Sequence, residues 1–265
     1  MSHPSLIHTI WLEQQQAAFV YLPKVACTSW KLFFARALAL PLPEQLSYGQ
    51  VHAQDSLPLP YVAGLAAEEQ QRFLARLAAN EIQLHAVIRN PRQRILSAYL
   101  DKIALHRNPN SFFSRQVLPA IQAHAQLAGS DKPSFEQFLR WLDSPATPLT
   151  QNDHWLPMTN LLGLAGAAAL PVAAYARLWP MEELDQAADH FRHLLEVDLV
   201  FPGNQALGPR PSTGSAELVA SHFDPAIDAL FQSLFAPDLQ LYASLTVPPP
   251  PSDPLGQPVD LHSPC

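Results

Sequence analysis

Twice in this chain a short apolar run breaks into a tight polar turn carrying a cation and then becomes an amphipathic helix. The first unit runs from Ala17–Leu22 through Pro23-Lys24-Val25-Ala26-Cys27-Thr28 into Ser29–Leu40, where Trp30, Phe33, Phe34, Ala37 and Leu38 share one helix face. The second runs from Gln83–Ile88 through Arg89-Asn90-Pro91 into Arg92–Leu105, with Ile95, Leu96, Tyr99 and Ile103 on one side. Strand–turn–helix units repeated in this way predict an α/β fold, a central parallel sheet flanked by helices in a single domain. Each turn sets backbone N–H groups and a cation at a helix N-terminus, which suits a bound anion. Two such turns call for a ligand with two separate anionic groups.

The rest of the chain fits around these units. Ser47–His52 reads as a short second strand and Ala66–Asn80 as a helix. Phe112–Leu127 and Ser134–Leu142 read as helices, the latter opened by a capping box of Ser134 and Gln137. Ala173–Leu178 is a late core strand, followed by helices over Met181–Val197 and Pro225–Leu234. Pro202–Gly214 is a polar loop. The four consecutive prolines from Pro248 end all regular structure, so residues 1–246 are expected to form the domain and 247–265 an extended, disordered tail.

Charge narrows the ligand. The 265 residues carry a formal net charge of −7, which argues against nucleic acid as the main partner because no broad basic surface can neutralise a phosphate backbone. Lys24, Lys31, Arg36, Arg89, Arg92, Arg94 and Lys102 instead gather around the two turns, the pattern of a small anionic ligand bound by an acidic protein. No apolar run reaches the roughly 18 residues of a membrane span, and Met1–His8 lacks the basic and apolar regions of a secretory leader. Two cysteines, Cys27 and Cys265, make no disulfide framework. A cytoplasmic protein is expected.

The chemistry of the turns is specific. Lys24 precedes the small residues Ala26, Cys27, Thr28 and Ser29, which let the backbone approach an anion closely while the hydroxyls donate or cap the helix. The phosphate-binding pattern G-x-x-x-x-G-K-[ST] is absent, and no acidic strand end offers itself to magnesium. Both features weigh against nucleoside triphosphate chemistry. In the second turn Arg89 and Ser97 can converge on one phosphate, each charge-assisted contact contributing about 1.5–3 kcal/mol.

Together these residues resemble the sulfotransferases that use 3′-phosphoadenosine 5′-phosphosulfate (PAPS), and within them the carbohydrate O-sulfotransferases of the chondroitin, dermatan and HNK-1 type. Pro23-Lys24-Val25-Ala26-Cys27-Thr28-Ser29-Trp30-Lys31 matches that family's P-K-V-G-C-T-x-W-K loop except at Ala26. Ile88-Arg89-Asn90-Pro91, Arg94, Ser97-Ala98-Tyr99 and Asp101-Lys102 follow its second element, V-R-D-P-x-x-R-x-x-S-A-[FY]-x-D-K. Asp153-His154-Trp155-Leu156-Pro157 resembles its H-W-x-P element, and Leu230–Tyr242 its C-terminal helix. The resemblance implies PAPS as co-substrate, no metal, and a hydroxylated acceptor that can be a glycan. Lys24, Val25, Ala26, Cys27, Thr28, Ser29 and Trp30 would then hold the 5′-phosphosulfate end, and Arg89, Arg94 and Ser97 the 3′-phosphate.

Lys24 is expected to stabilise the leaving oxygen. Trp30 can stack on the adenine or, since it lies on the apolar stripe, fill the core. The base that takes the acceptor proton is expected to be histidine. His52 is the first candidate, lying between the two nucleotide elements, and His154 the second. His190 and His193 share a helix face but have no third ligand in sequence, so no metal site is expected. Two rival readings are a P-loop small-molecule kinase and a nucleotide-binding module without catalysis.

Overall fold

The computed structural model describes residues 3–43, 46–52, 56–106, 108–167, 169–203, 207 and 213–246. The proline-rich tail and part of the 202–214 loop lie outside this set. Among the described residues four strands form one sheet in chain order: β1 (Thr9–Leu12), β2 (Ala17–Val20), β3 (Gln83–Ile88) and β4 (Tyr175–Pro180). The two parallel pairs, β2 with β3 and β3 with β4, bear out the expected parallel centre. β1 was not foreseen. It pairs antiparallel with β2 because only residues 13–16 separate them, too few for a crossover, and Gln16 turns the chain with φ 51°.

Every side chain of β2 is buried, as are the last five of β3. These strands carry apolar residues towards both faces, and helices cover them. α1 (Cys27–Ala37) and α3 (Ala67–Ala78) lie in the β2–β3 crossover. α4 (Pro91–Tyr99) follows β3, and α8 (Leu184–Leu194) follows β4. Between α1 and α3 the chain makes α2 (Tyr48–His52), where a short strand is expected from the sequence. The reason is local: Gln50 Oε1 accepts from the Ser47 backbone N–H at 2.9 Å, and Ser47 Oγ takes the Gln50 N–H at 3.4 Å. This reciprocal capping starts a helix in place of a strand.

A second cluster of apolar side chains packs beside the sheet. It joins α4 to α5 (Leu118–His124), α6 (Phe135–Leu142) and the kinked α10 (Pro225–Thr246). The Ser134–Gln137 capping box forms as expected. α10 outruns its expected end at Leu234 by twelve residues, continuing through a break at Phe235 and Pro237. Asp238, one residue past that proline, is buried and accepts from the backbone N–H groups of Met158 and Thr159 and from the Thr159 hydroxyl. It caps α7 (Met158–Leu161) and so fixes the segment that carries His154. α9 (Ser215–His222), unforeseen from the sequence, lies against α4.

Candidate active site

β2 delivers the chain through Tyr21 and Leu22 to Pro23. Lys24 and Ala26 then both take left-handed backbone angles, φ 68° and 50°. Left-handed residues interleaved in a tight turn aim N–H groups into a concave, anion-binding nest. Ala26 is the N-cap of α1, and no side chain caps that end. The first N–H groups of an eleven-residue helix therefore point at the turn with the positive end of the helix dipole. Thr28 and Ser29 do not cap it. Thr28 Oγ1 lies 3.1 Å from Nε2 of His52, and Ser29 is buried.

Lys24 Nζ lies 3.1 Å from Asp101 Oδ2, which also meets Lys102 Nζ at 3.1 Å. Burial pulls the Lys24 pKa below its ordinary value, opposed by Asp101. Asp101 and Lys102 sit in a π-helical stretch, Leu100–Ala104, that prolongs α4. Such widened turns recur at functional sites because they re-aim neighbouring side chains. Lys102 Nζ stands 4.9 Å over the Phe113 ring, and that ring meets the His154 imidazole edge-on at 5.2 Å between centroids. His154 Nδ1 bonds to Asn152 Oδ1 at 2.8 Å. An amide oxygen only accepts, so the proton resides on Nδ1 and Nε2 carries the lone pair. Burial, with Lys102 and Lys24 adding to it, lowers the His154 pKa to about 2.

The second turn reaches the first directly. Arg89 Nη1 donates to the Lys24 carbonyl at 3.1 Å and Nη2 to Ser215 Oγ at 3.0 Å, while Nε is buried with no partner among the described residues. Ser97 Oγ pairs with Thr213 Oγ1 at 3.2 Å. The two turns thus meet directly, and a third segment, Thr213-Gly214-Ser215 at the start of α9, contacts Arg89 and Ser97. The sequence reading missed these two hydroxyls. The signal available was their resemblance to the first loop, small hydroxylated residues leading into a helix.

Two expected nucleotide ligands move elsewhere. Trp30 is fully buried and packs against Phe19, Phe34, Phe191 and Phe201, with ring centroids 4.5–5.7 Å apart, so it belongs to the core and cannot stack on a base. Arg94 is also fully buried, and among the described residues its guanidinium donates to three main-chain carbonyls, those of Pro23, Leu156 and Asp153. Val25 and Ser29 are buried too and can serve the loop through their backbone alone. Among the described residues no three metal-ligating side chains gather, and no helix is long and apolar enough to cross a membrane.

The chain is 27% identical over 242 residues to carbohydrate sulfotransferase 14 of Homo sapiens, covering 90% of this chain and 60% of that protein. It is 26% identical over 174 residues to the Mus musculus protein of that name, covering 65% and 44%, and 24% identical over 173 residues to carbohydrate sulfotransferase 11 of Rattus norvegicus, covering 59% and 45%. The chain therefore spans about half the length of these relatives. No solved structure matches it. A model of the sulfotransferase family matches residues 8–243, the sheet, both turns and the helices that close over them, and the chain belongs to that family.

Proposed function

We propose that the protein transfers a sulfuryl group from PAPS to a hydroxyl of a carbohydrate acceptor. The observation that carries this reading is the bond between Arg89 and the carbonyl of Lys24. It joins the Lys24 turn to the guanidinium of Arg89 with its Ser215 partner, which supports a donor charged at both its 5′ and 3′ positions. The carbohydrate acceptor rests on the names of the relatives.

In the reaction the acceptor oxygen attacks sulfur in line as the bond from sulfur to the 5′-phosphate oxygen breaks. The Lys24 ammonium meets the charge that develops on that bridging oxygen, a contribution realised in the transition state. The acceptor proton goes to a histidine, and the two candidates differ physically. His154 is held neutral down to about pH 2 by burial and the two lysines, which makes it a fixed hydrogen-bonding group and a poor proton store. His52 is exposed, at the end of α2 beside Thr28, where an acceptor can reach it. We assign the base to His52 and an orienting role to His154.

Thermal-shift titration with adenosine 3′,5′-bisphosphate tests the donor site. Stabilisation without metal is expected, about 2.7 kcal/mol at a hundredfold excess over Kd; a preference for Mg-ATP would favour a kinase instead. Incubation with labelled PAPS and a panel of soluble polysaccharides and phenols tests the reaction. Tight nucleotide binding with no transfer to any acceptor would favour a binding module.

A further inference from the structure

The resemblance places Arg94 among the 3′-phosphate ligands, yet its surroundings give it a different task. Nε donates to the Pro23 carbonyl at 3.1 Å, Nη1 to that of Leu156 at 2.8 Å and Nη2 to that of Asp153 at 2.9 Å. All three nitrogens are engaged with main chain, and the side chain has no accessible surface. The acceptors belong to two segments far apart in sequence. Pro23 is the residue before Lys24, whereas Asp153 and Leu156 bracket His154 and Trp155.

Both segments need such a hold. Lys24 and Ala26 sit in left-handed conformations that are unfavourable for a residue with a Cβ, so the turn persists only where its surroundings fix it. Arg94 holds it from the carbonyl just before Lys24, and Arg89 from the carbonyl of Lys24 itself. The turn at 153–156 is gripped at both ends by one rigid fork. A guanidinium suits this because its donors are coplanar and diverge at set angles, whereas a lysine ammonium is a point donor that cannot reach three carbonyls in a plane.

Resting on the sulfotransferase reading above, we propose that Arg94 is a positioning residue for sulfuryl transfer: it clamps the Lys24 turn to the His154 turn and makes no contact with the nucleotide. The clamp fixes where Lys24 meets the bridging oxygen relative to the neutral imidazole of His154. Loosening it spares the grip of Arg89 and Ser97 on the 3′-phosphate but misplaces the Lys24 turn and the groups around the sulfur, and a displacement of about 1 Å there costs on the order of 10²-fold in turnover.

The test compares Arg94→Lys with Arg89→Lys. Calorimetric titration with adenosine 3′-phosphate, which has no group for the Lys24 turn, is expected to give Arg94→Lys a Kd within about twofold of the unmodified protein, and Arg89→Lys a Kd at least about tenfold weaker. PAPS turnover by Arg94→Lys is expected to fall about 10²-fold at saturating PAPS. Equal loss of nucleotide affinity in the two variants, or full turnover by Arg94→Lys, would overturn the proposal. A second measurement needs no variant: the Nε–H resonance of Arg94 in the unmodified protein should stay put during titration with adenosine 3′-phosphate while that of Arg89 moves. An Arg94 signal that moves as far as Arg89's overturns the assignment. If the unmodified protein binds no adenosine 3′,5′-bisphosphate, the sulfotransferase reading falls and this proposal with it; binding of adenosine 3′-phosphate that is present in the unmodified protein but lost in Arg94→Lys sinks the Arg94 assignment alone.

Discussion

Acid is expected to destabilise this fold through the buried His85. It lies in β3 with 1% of its surface exposed, its ring 4.9 Å from that of His190, 5.4 Å from Phe191 and 5.6 Å from Trp179. Neither ring nitrogen has a hydrogen-bond partner among the described residues. Burial, assisted by His190, lowers its pKa from 6.5 to about 4. Protons therefore bind the unfolded chain before the folded one, and stability that is complete above pH 6.5 is lost as the pH falls towards 4. Near pH 5.5 this one group contributes a slope of about 1.2 kcal/mol per pH unit, and between pH 7 and pH 5 it removes about 1.8 kcal/mol. Urea unfolding of the unmodified protein and of His85→Phe at pH 7, 6 and 5 isolates the effect, because the pH slope cancels whatever the substitution costs in packing. The variant should lose about 1.8 kcal/mol less than the unmodified protein over that range. Identical slopes, or a His85 resonance titrating near pH 6.5, would refute the reasoning.

Ala26 sits at φ 50°, in the left-handed region that favours glycine, so Ala26→Gly should stabilise the protein by about 0.5–1 kcal/mol, the relief of left-handed strain less the added chain entropy; an unchanged or lower urea midpoint would show that the turn is unstrained. His52→Ala should cost about 10²–10⁴-fold in turnover while sparing affinity for adenosine 3′,5′-bisphosphate, whereas near-normal turnover would hand the base to another group. Asp238→Asn keeps one acceptor oxygen where two now serve three donors, so it should destabilise by about 1–3 kcal/mol in chemical denaturation. A loss within error would mean that water replaces the missing acceptor.

The two strand–turn–helix units were legible because everything that makes them is local. Apolar runs, a proline, a cation and small residues lie within about fifteen positions of one another, and helix periodicity does the rest. The Ser47–Gln50 capping pair was equally local, and the strand expected there came from passing over it. Other features had no local signal. β1 is only four residues long and wholly buried, so it shows no alternation. The π-helical turn that sets Asp101 between Lys24 and Lys102 leaves no mark in hydrophobic spacing.

Residue type and short-range order were enough to name the family, the two anion-binding turns and the lysine at their centre, because backbone geometry near a helix start follows from the few residues around it. They could not say that Trp30 faces the core, that Arg94 is spent on three carbonyls, or that Thr213 and Ser215 contact Ser97 and Arg89 from more than a hundred residues away. Those outcomes depend on which surfaces meet when the helices pack against the sheet. A side chain's task is then set by the partners that burial leaves within its reach.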